Sequence, residues 1–540
     1  MPPNSSRSWG IPNAHLQITG IHEKPLLQPS RIVLGHRKIY PFTTTETNRI
    51  MIVQAERQWV LSKQAVYALL SWTTLLLIGG LGLMGCHMTA HPSPTPNVES
   101  LHNGDTAKTY AFINGQWFDG QSFTQDTWYA IQGSLTRLRP KVVERTIDLK
   151  GGFVVPPFGE AHTHNVEGAW NIDQVINHYV RDGIFYVKNT TDIPEFVEQI
   201  RGKLNTPETI DAVFAHAGLT GQNGHPIALY EDLLRTHRYE PVIGKREKGW
   251  FNGRAYFSLS SLKDVETHWP AIMATKPDFI KLYLADSEHF ENGTRSSTHG
   301  FRNGLDPELI EPIVTHAHQH GLRVSAHIET AADFRTAIKS HVDEIAHLPG
   351  WFLPSPAQGS AVRLTQEDAQ LAAAHRTVIV TTTVAEHFHP AGHHTNTEAH
   401  PHSPANSKEH QQPPVENVLE VARKIQMENL KLLHQGGVTI AIGSDHAETS
   451  LAEALHLHQM GIFDNLTLLK MWSETTPQTI FPSRKIGRFD EGYEASFLVL
   501  QGNPLEDFEQ VQNIIFRFKQ GSPLSWSDNP HTDAAAKHAH

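Results

Sequence analysis

His162 and His164 stand one residue apart, and Lys281, His327, His347 and Asp445 follow them in that order along the chain. Imidazole and carboxylate ligands suit zinc, and also iron, nickel or manganese. On an extended segment an i, i+2 pair points to one side, so both imidazoles can reach a single ion. A lysine is a poor ligand as an ammonium. It becomes a good one when carbon dioxide converts it to a carbamate, which can bridge two metals.

These residues need strands to hold them, and the sequence offers eight. They are the segment ending at His164 and the runs GIFYVKN, AVFAHAG, FIKLYL, RVSAHI, EIAHL, TVIVTTT and VTIAIGSD. Amphipathic stretches such as PELIEPIVTHAHQH and ENVLEVARKIQMENLKLLHQ lie between several of them. Apolar runs alternating with helical patterns indicate βα units and a parallel sheet. Eight such units close into a (β/α)8 TIM barrel, whose chemistry sits at the strand C-termini. The six residues lie at or near those ends.

The motifs resemble the amidohydrolase superfamily, binuclear metal type. GGFVVPPFGEAHTH is similar to its strand-one signature PGxxDxHxH, and GVTIAIGSDHAETS to its strand-eight region. IGRFDEGYEASFLVLQGNPLEDF resembles its returning C-terminal strand, while AHAGLTGQNGHP and DFIKLY resemble the prolidase- and imidazolonepropionase-related members. The likeness covers roughly residues 108–520. It implies two divalent metal ions, most simply zinc. His162, His164 and Asp445 would bind one, His327 and His347 the other, with Lys281 as a bridging carbamate beside a hydroxide. It further implies hydrolysis of an amide-like bond (peptide, N-acyl or cyclic amide) or a lactone, with Asp445 as general acid and base. His225, in the GQNGHP loop, and Glu329, two residues after His327, are candidate substrate contacts. His216 ends an apolar run and is either core or pocket lining.

The sequence departs from the family pattern at Pro157 for Gly, Glu160 for Asp, and Ser496 for the Asp of a C-terminal Ala-Asp pair. Ser496 should affect sheet packing more than catalysis, and Glu160 should orient loops. None of the six metal-site positions is lost.

Both chain ends carry short alternating β segments. TYAFIN, GQWFD, TWYAIQG, SLTRLR and TIDLKGGFVV lie before the barrel, ASFLVLQG and IIFRFKQG after it. We expect residues 107–155 and 487–525 to form a composite β-sandwich domain flanking a barrel over 156–486. A tract at 385–414 contains seven histidines, and its Pro, Asn and Ser content reads as a solvated loop that binds zinc adventitiously, the alternative being a lid.

Cys86 is the sole cysteine, so no intramolecular disulfide can form. It follows a nearly uncharged run, AVYALLSWTTLLLIGGLGLMG, preceded by Arg57 and Lys63, the order of a secretory signal. Leu83-Met84-Gly85-Cys86 resembles the lipobox of bacterial lipoproteins. This implies a lipid on Cys86 and a cell-envelope location facing the periplasm or exterior, with an uncleaved membrane span as the alternative. Residues 51–86 would then be the signal, 87–106 a linker, 526–540 a disordered tail, and 1–50 a disordered or non-native extension before Met51.

A net charge of -11 with no basic run argues against nucleic acid and leaves a small molecule as the partner. Two rivals to the binuclear hydrolase follow from the same residues. A single-metal deaminase of the same superfamily would use a Glu in an HxxE pattern, but position 330 is Thr. A non-catalytic metal-binding surface lipoprotein would rely on the histidine tract and have no use for Asp445. The substrate and the oligomeric state are not encoded in any motif.

Overall fold

The computed structural model describes residues 109–237, 239–290, 303–384 and 415–524. The expectations for 1–106 (with Cys86), the histidine tract 385–414 and the tail 526–540 lie outside the described residues. Among the described residues no helix is long and apolar enough to cross a membrane.

Among the described residues five strands come first: β1 Thr109–Phe118, β2 Phe123–Ile131, β3 Ser134–Thr136, β4 Arg145–Asp148 and β5 Phe153–Val155. Ten follow: β6 Phe158–Thr163, β7 Ile184–Asn189, β8 Asp211–Phe214, β9 Gly218–Thr220, β10 Tyr256–Ser258, β11 Phe279–Tyr283, β12 Arg323–His327, β13 Glu344–Ala346, β14 Val378–Val380 and β15 Ile440–Ala441. Three come last: β16 Phe497–Leu500, β17 Ile514–Lys519 and β18 Ser522–Pro523.

The central strands make an α/β fold with parallel sheets. One sheet runs β6-β7-β8, the other β10-β9-β11-β12-β13-β14-β15, with helices such as Pro307–Gln319 and Val415–Gln435 in the connections. β6, β7 and β11 are buried at every residue, as expected where a parallel sheet is covered on both faces. The two sheets meet on both flanks. Ala161 N–H donates to Ile442 O at 3.0 Å, and Asp278 N–H donates to Phe214 O at 2.8 Å. The expected apolar runs all fall on these strands. β10, which pairs with β9, was not foreseen.

The two chain ends join in one eight-stranded mixed sheet, ordered β18-β17-β16-β5-β1-β2-β3 with β4 on β1. TYAFIN and GQWFD are not separate strands. They form the single strand β1, whose register shifts between Phe112 and Gly115. Asn114 takes a left-handed φ of 57°, so the Asn-Gly pair makes a bulge instead of a hairpin turn. A Cβ on Gly115 would meet Leu149 Cδ1 at 2.7 Å, which explains the glycine. The sheet has its own aromatic core, with Phe112 edge-on to Phe497 at 4.8 Å and to Phe518 at 4.9 Å. Ser496 does act in packing: it accepts Gln520 N–H at 2.9 Å and donates to Glu494 Oε1 at 2.7 Å.

A buried polar network pins this sheet to the parallel strands. Asp211, opening β8, accepts from Lys519 Nζ at 2.7 Å and from Arg484 Nη1 at 2.7 Å, while Arg484 Nη2 reaches Glu494 at 2.5 Å. Lys519 is wholly buried, and that burial lowers its affinity for a proton. Removing one member of a buried pair leaves the other charge uncompensated. Asp211→Ala should therefore destabilise the fold by about 3–5 kcal/mol, read as a lower urea midpoint. An unchanged midpoint would show that the network is not structural.

Candidate metal centre

The site forms where the parallel strands end, and the backbone itself does much of the aiming. β6 carries His162 inward, fully buried, and the chain leaves it through the partly exposed His164. β12 ends at His327. β13 and β15 are followed by His347 and Asp445, whose φ values of 73° and 47° are left-handed. Such a turn redirects a side chain that a continued strand would send elsewhere. Asp445 N–H donates to His162 O at 2.9 Å, which joins the last strand region to the first.

His162, His347 and Asp445 converge most closely: one donor atom from each lies within 4.8 Å of the others. His164 Nε2 is 3.4 Å from Asp445 Oδ1, and His162 Nε2 is 3.7 Å from the same oxygen. The His327 ring lies 4.7 Å from that of His347. Lys281 stands on β11 with its Nζ buried and without a hydrogen-bond partner among the described residues. The structure thus gathers all six expected residues, three of them tightly enough for one ion.

Burial keeps the bases neutral. Desolvation, then the nearby Lys281, pushes the His162 imidazolium well below the usual histidine range. His164 is lowered too, chiefly by burial, with the Asp445 carboxylate opposing. Burial brings Lys281 down to about 7. Neutral imidazoles are the metal-binding form. The donor set, together with the buried and unbonded atoms His162 Nδ1 and Lys281 Nζ, fits a divalent ion.

Other groups fix the ligands. Glu160 accepts from Ser444 N at 2.7 Å, Ser444 Oγ at 2.8 Å and His162 N at 3.3 Å, clamping the first strand to the loop before Asp445. Burial raises its carboxyl to about 8. Thr190 Oγ1 lies 3.3 Å from His162 Nε2 and 3.2 Å from His164 Nε2. Thr382 Oγ1 is 2.7 Å from His347 Nδ1, and Trp351 stacks on the His347 ring at 4.5 Å. Sequence reading passed over Thr190, Thr382 and Trp351. A threonine run and a lone tryptophan carry no spacing signal. Tyr283 could have been found, since it follows Lys281 by two residues on the same strand; its hydroxyl is 2.5 Å from Thr191 Oγ1.

The two candidate substrate contacts fall beside the ligands. The His225 ring is 4.7 Å from that of His327. Glu329 is fully buried, with Oε1 3.8 Å from His327 Nε2, so it is not a solvated surface carboxylate. Thr330 is the N-cap of helix Ala331–Lys339 in a capping box with Asp333, which also accepts Glu329 N–H at 2.9 Å. His216 is buried against Asp192 at 2.6 Å, a core pair instead of a pocket wall.

The amine of Lys281 makes a stability prediction. An unfolded chain binds its proton near pH 10.4, the folded one near 7, so stability falls as pH drops through that interval and levels off below it. Lys281→Met should raise the thermal midpoint of the metal-free protein, with a larger gain at pH 7 than at pH 10. Thermal unfolding in chelator at both pH values checks this, and an equal or reversed gain would refute it.

Comparisons with known proteins fit this geometry. Residues 280–523 match the model of the amidohydrolase family. No curated protein sequence matches the chain. Among solved structures, a prolidase complexed with N-methylphosphonate-L-proline aligns with a TM-score of 0.57 at 16% identity, covering 78% of this chain and 100% of that one. The ochratoxinase of A. niger aligns with a TM-score of 0.58 at 16% identity, covering 78% and 96%. A Xaa-Pro dipeptidase with methionine in its active site aligns with a TM-score of 0.55 at 18% identity, covering 77% and 99%. At these identities the likeness is one of fold.

Proposed function

We propose that the chain is a hydrolytic enzyme acting on carbon–nitrogen bonds, built on a closed (β/α)8 barrel over 156–486 with a β-sandwich domain from both chain ends. Its substrate would be a small molecule with an amide-like bond (peptide, N-acyl or cyclic amide) or a lactone. The observation that carries this reading is the convergence of His162, His347 and Asp445 within 4.8 Å, beside a buried, unbonded Lys281. The family match over 280–523 and the hydrolase folds that align with the chain support it.

By the family resemblance His162, His164 and Asp445 would hold one divalent ion and His327 and His347 a second, with Lys281 as a carbamate ligand; His347 also lies close to His162 and Asp445, so the two ion sites would adjoin at His347. Zinc suits the set. Bound there, such ions lower the pKa of water toward neutrality and polarise a substrate carbonyl. Asp445, partly open to the mouth, takes the proton from the attacking water and delivers it to the leaving nitrogen or oxygen. His225 and Glu329 orient the substrate beside His327. Trp351 and the buried strand ends keep bulk water from the ligands. A lipid on Cys86 would hold the enzyme at the cell envelope.

Metal analysis by mass spectrometry of a variant lacking residues 385–412, which removes the histidine tract, tests the centre, with about two ions per chain expected and one ion pointing to the deaminase reading. Lys281→Ala and Asp445→Asn should abolish turnover of an amide or lactone substrate while the far-ultraviolet spectrum is unchanged. Loss of proton transfer alone accounts for about 10²–10⁴-fold. Full activity in either variant overturns the mechanism.

A further inference from the structure

Left-handed φ values recur where the parallel strands end: 73° at His347, 52° at Thr382 and 47° at Asp445. Thr382 is the β-branched member of this group, and for such a residue a left-handed backbone is a genuine outlier. Strain of this kind persists only when the surroundings over-determine it. Here they do. Thr382 N–H donates to Gly443 O at 3.1 Å, and the next two residues are gripped by the buried Glu453. That carboxylate accepts from Thr383 N at 2.9 Å, Thr383 Oγ1 at 2.8 Å and Val384 N at 2.6 Å. What the strained backbone delivers is the Thr382 hydroxyl, fully buried and 2.7 Å from His347 Nδ1.

A metal-binding histidine commonly gives its second ring nitrogen to a fixed partner, which sets the tautomer and the ring orientation. The face of the His347 ring is already set by Trp351, stacked at 26°. Rotation of the ring within that plane is a separate matter. The Thr382 hydroxyl meets Nδ1, the nitrogen that also lies 3.9 Å from Asp445 Oδ2, and so fixes which edge of the ring faces the carboxylate.

We propose that Thr382 is a positioning residue that fixes the His347 ring within its plane, so that its nitrogens are held in place for a metal ion. This rests on the metal-centre reading above. It explains why a β-branched residue occupies a conformation that glycine or asparagine would adopt at lower cost. The segment after β14, which supplies none of the expected ligands, contributes to the centre through this hydroxyl.

The test is zinc affinity of the full-length protein, measured by competition with a chromogenic chelator. His347→Ala supplies the baseline for zinc held elsewhere, including the histidine tract. Thr382→Val keeps the shape and the strain but removes the hydroxyl, and should weaken zinc binding by about 10–100-fold. Thr382→Ser should bind as the parent does. Thr382→Gly relieves the strain and also lacks the hydroxyl, so it should lose affinity like the valine variant whatever its thermal midpoint. Parent affinity in Thr382→Val, or affinity that tracks the midpoint across the three variants, overturns the proposal. Parent affinity in His347→Ala would instead overturn the metal-centre reading beneath it.

Discussion

The hydrogen bond from Asp445 N–H to His162 O is the contact on which the site depends. It joins the last of the parallel strands to the first, and each side of it carries a candidate metal donor. Ala161 and Ile442 extend the same seam, and Glu160 reinforces it through Ser444. The cluster is therefore a product of contacts between distant segments more than of any local motif.

Around that seam the molecule divides its labour. The outer ends of the strands are tied down by Asp211, Arg484 and Lys519, which lock in the sheet made by the two chain ends. Within the parallel strands, Lys188 and Glu344 form a buried ion pair at 2.6 Å linking β7 to β13. At the C-terminal ends polar groups are left under-satisfied: Lys281 Nζ and His162 Nδ1 have no hydrogen-bond partner among the described residues. Such vacancies are costly in a fold's interior and informative for that reason. The rigid half of the molecule supports the half that is chemically unfinished.

Much of this was legible in the residues alone. Eight apolar runs of strand length, separated by helical patterns, located parallel strands, and the order HxH, Lys, His, His, Asp picked out side chains of which His162, His347 and Asp445 converge. What escaped notice has a common physical cause. TYAFIN and GQWFD read as two segments, yet cross-strand pairing on both sides of Asn114-Gly115 joins them through a bulge. Thr382 and Trp351 act by contacts across strands that sequence spacing does not encode. Glu329 looked as suited to solvent as to the site, because nothing local announces that the Asp333 cap folds it inward.

The lone amine of Lys281 reaches beyond the reaction. A group kept dry and unpaired makes the empty protein the weaker of its two forms, while any ion that binds only the folded state adds stability by mass action, about 2.7 kcal/mol at a hundredfold excess over its dissociation constant. Proteases sample the opened chain in proportion to its population. Copies without a bound ion would then be removed faster than copies that hold one, and the amount of protein that survives would become a record of the metal supply.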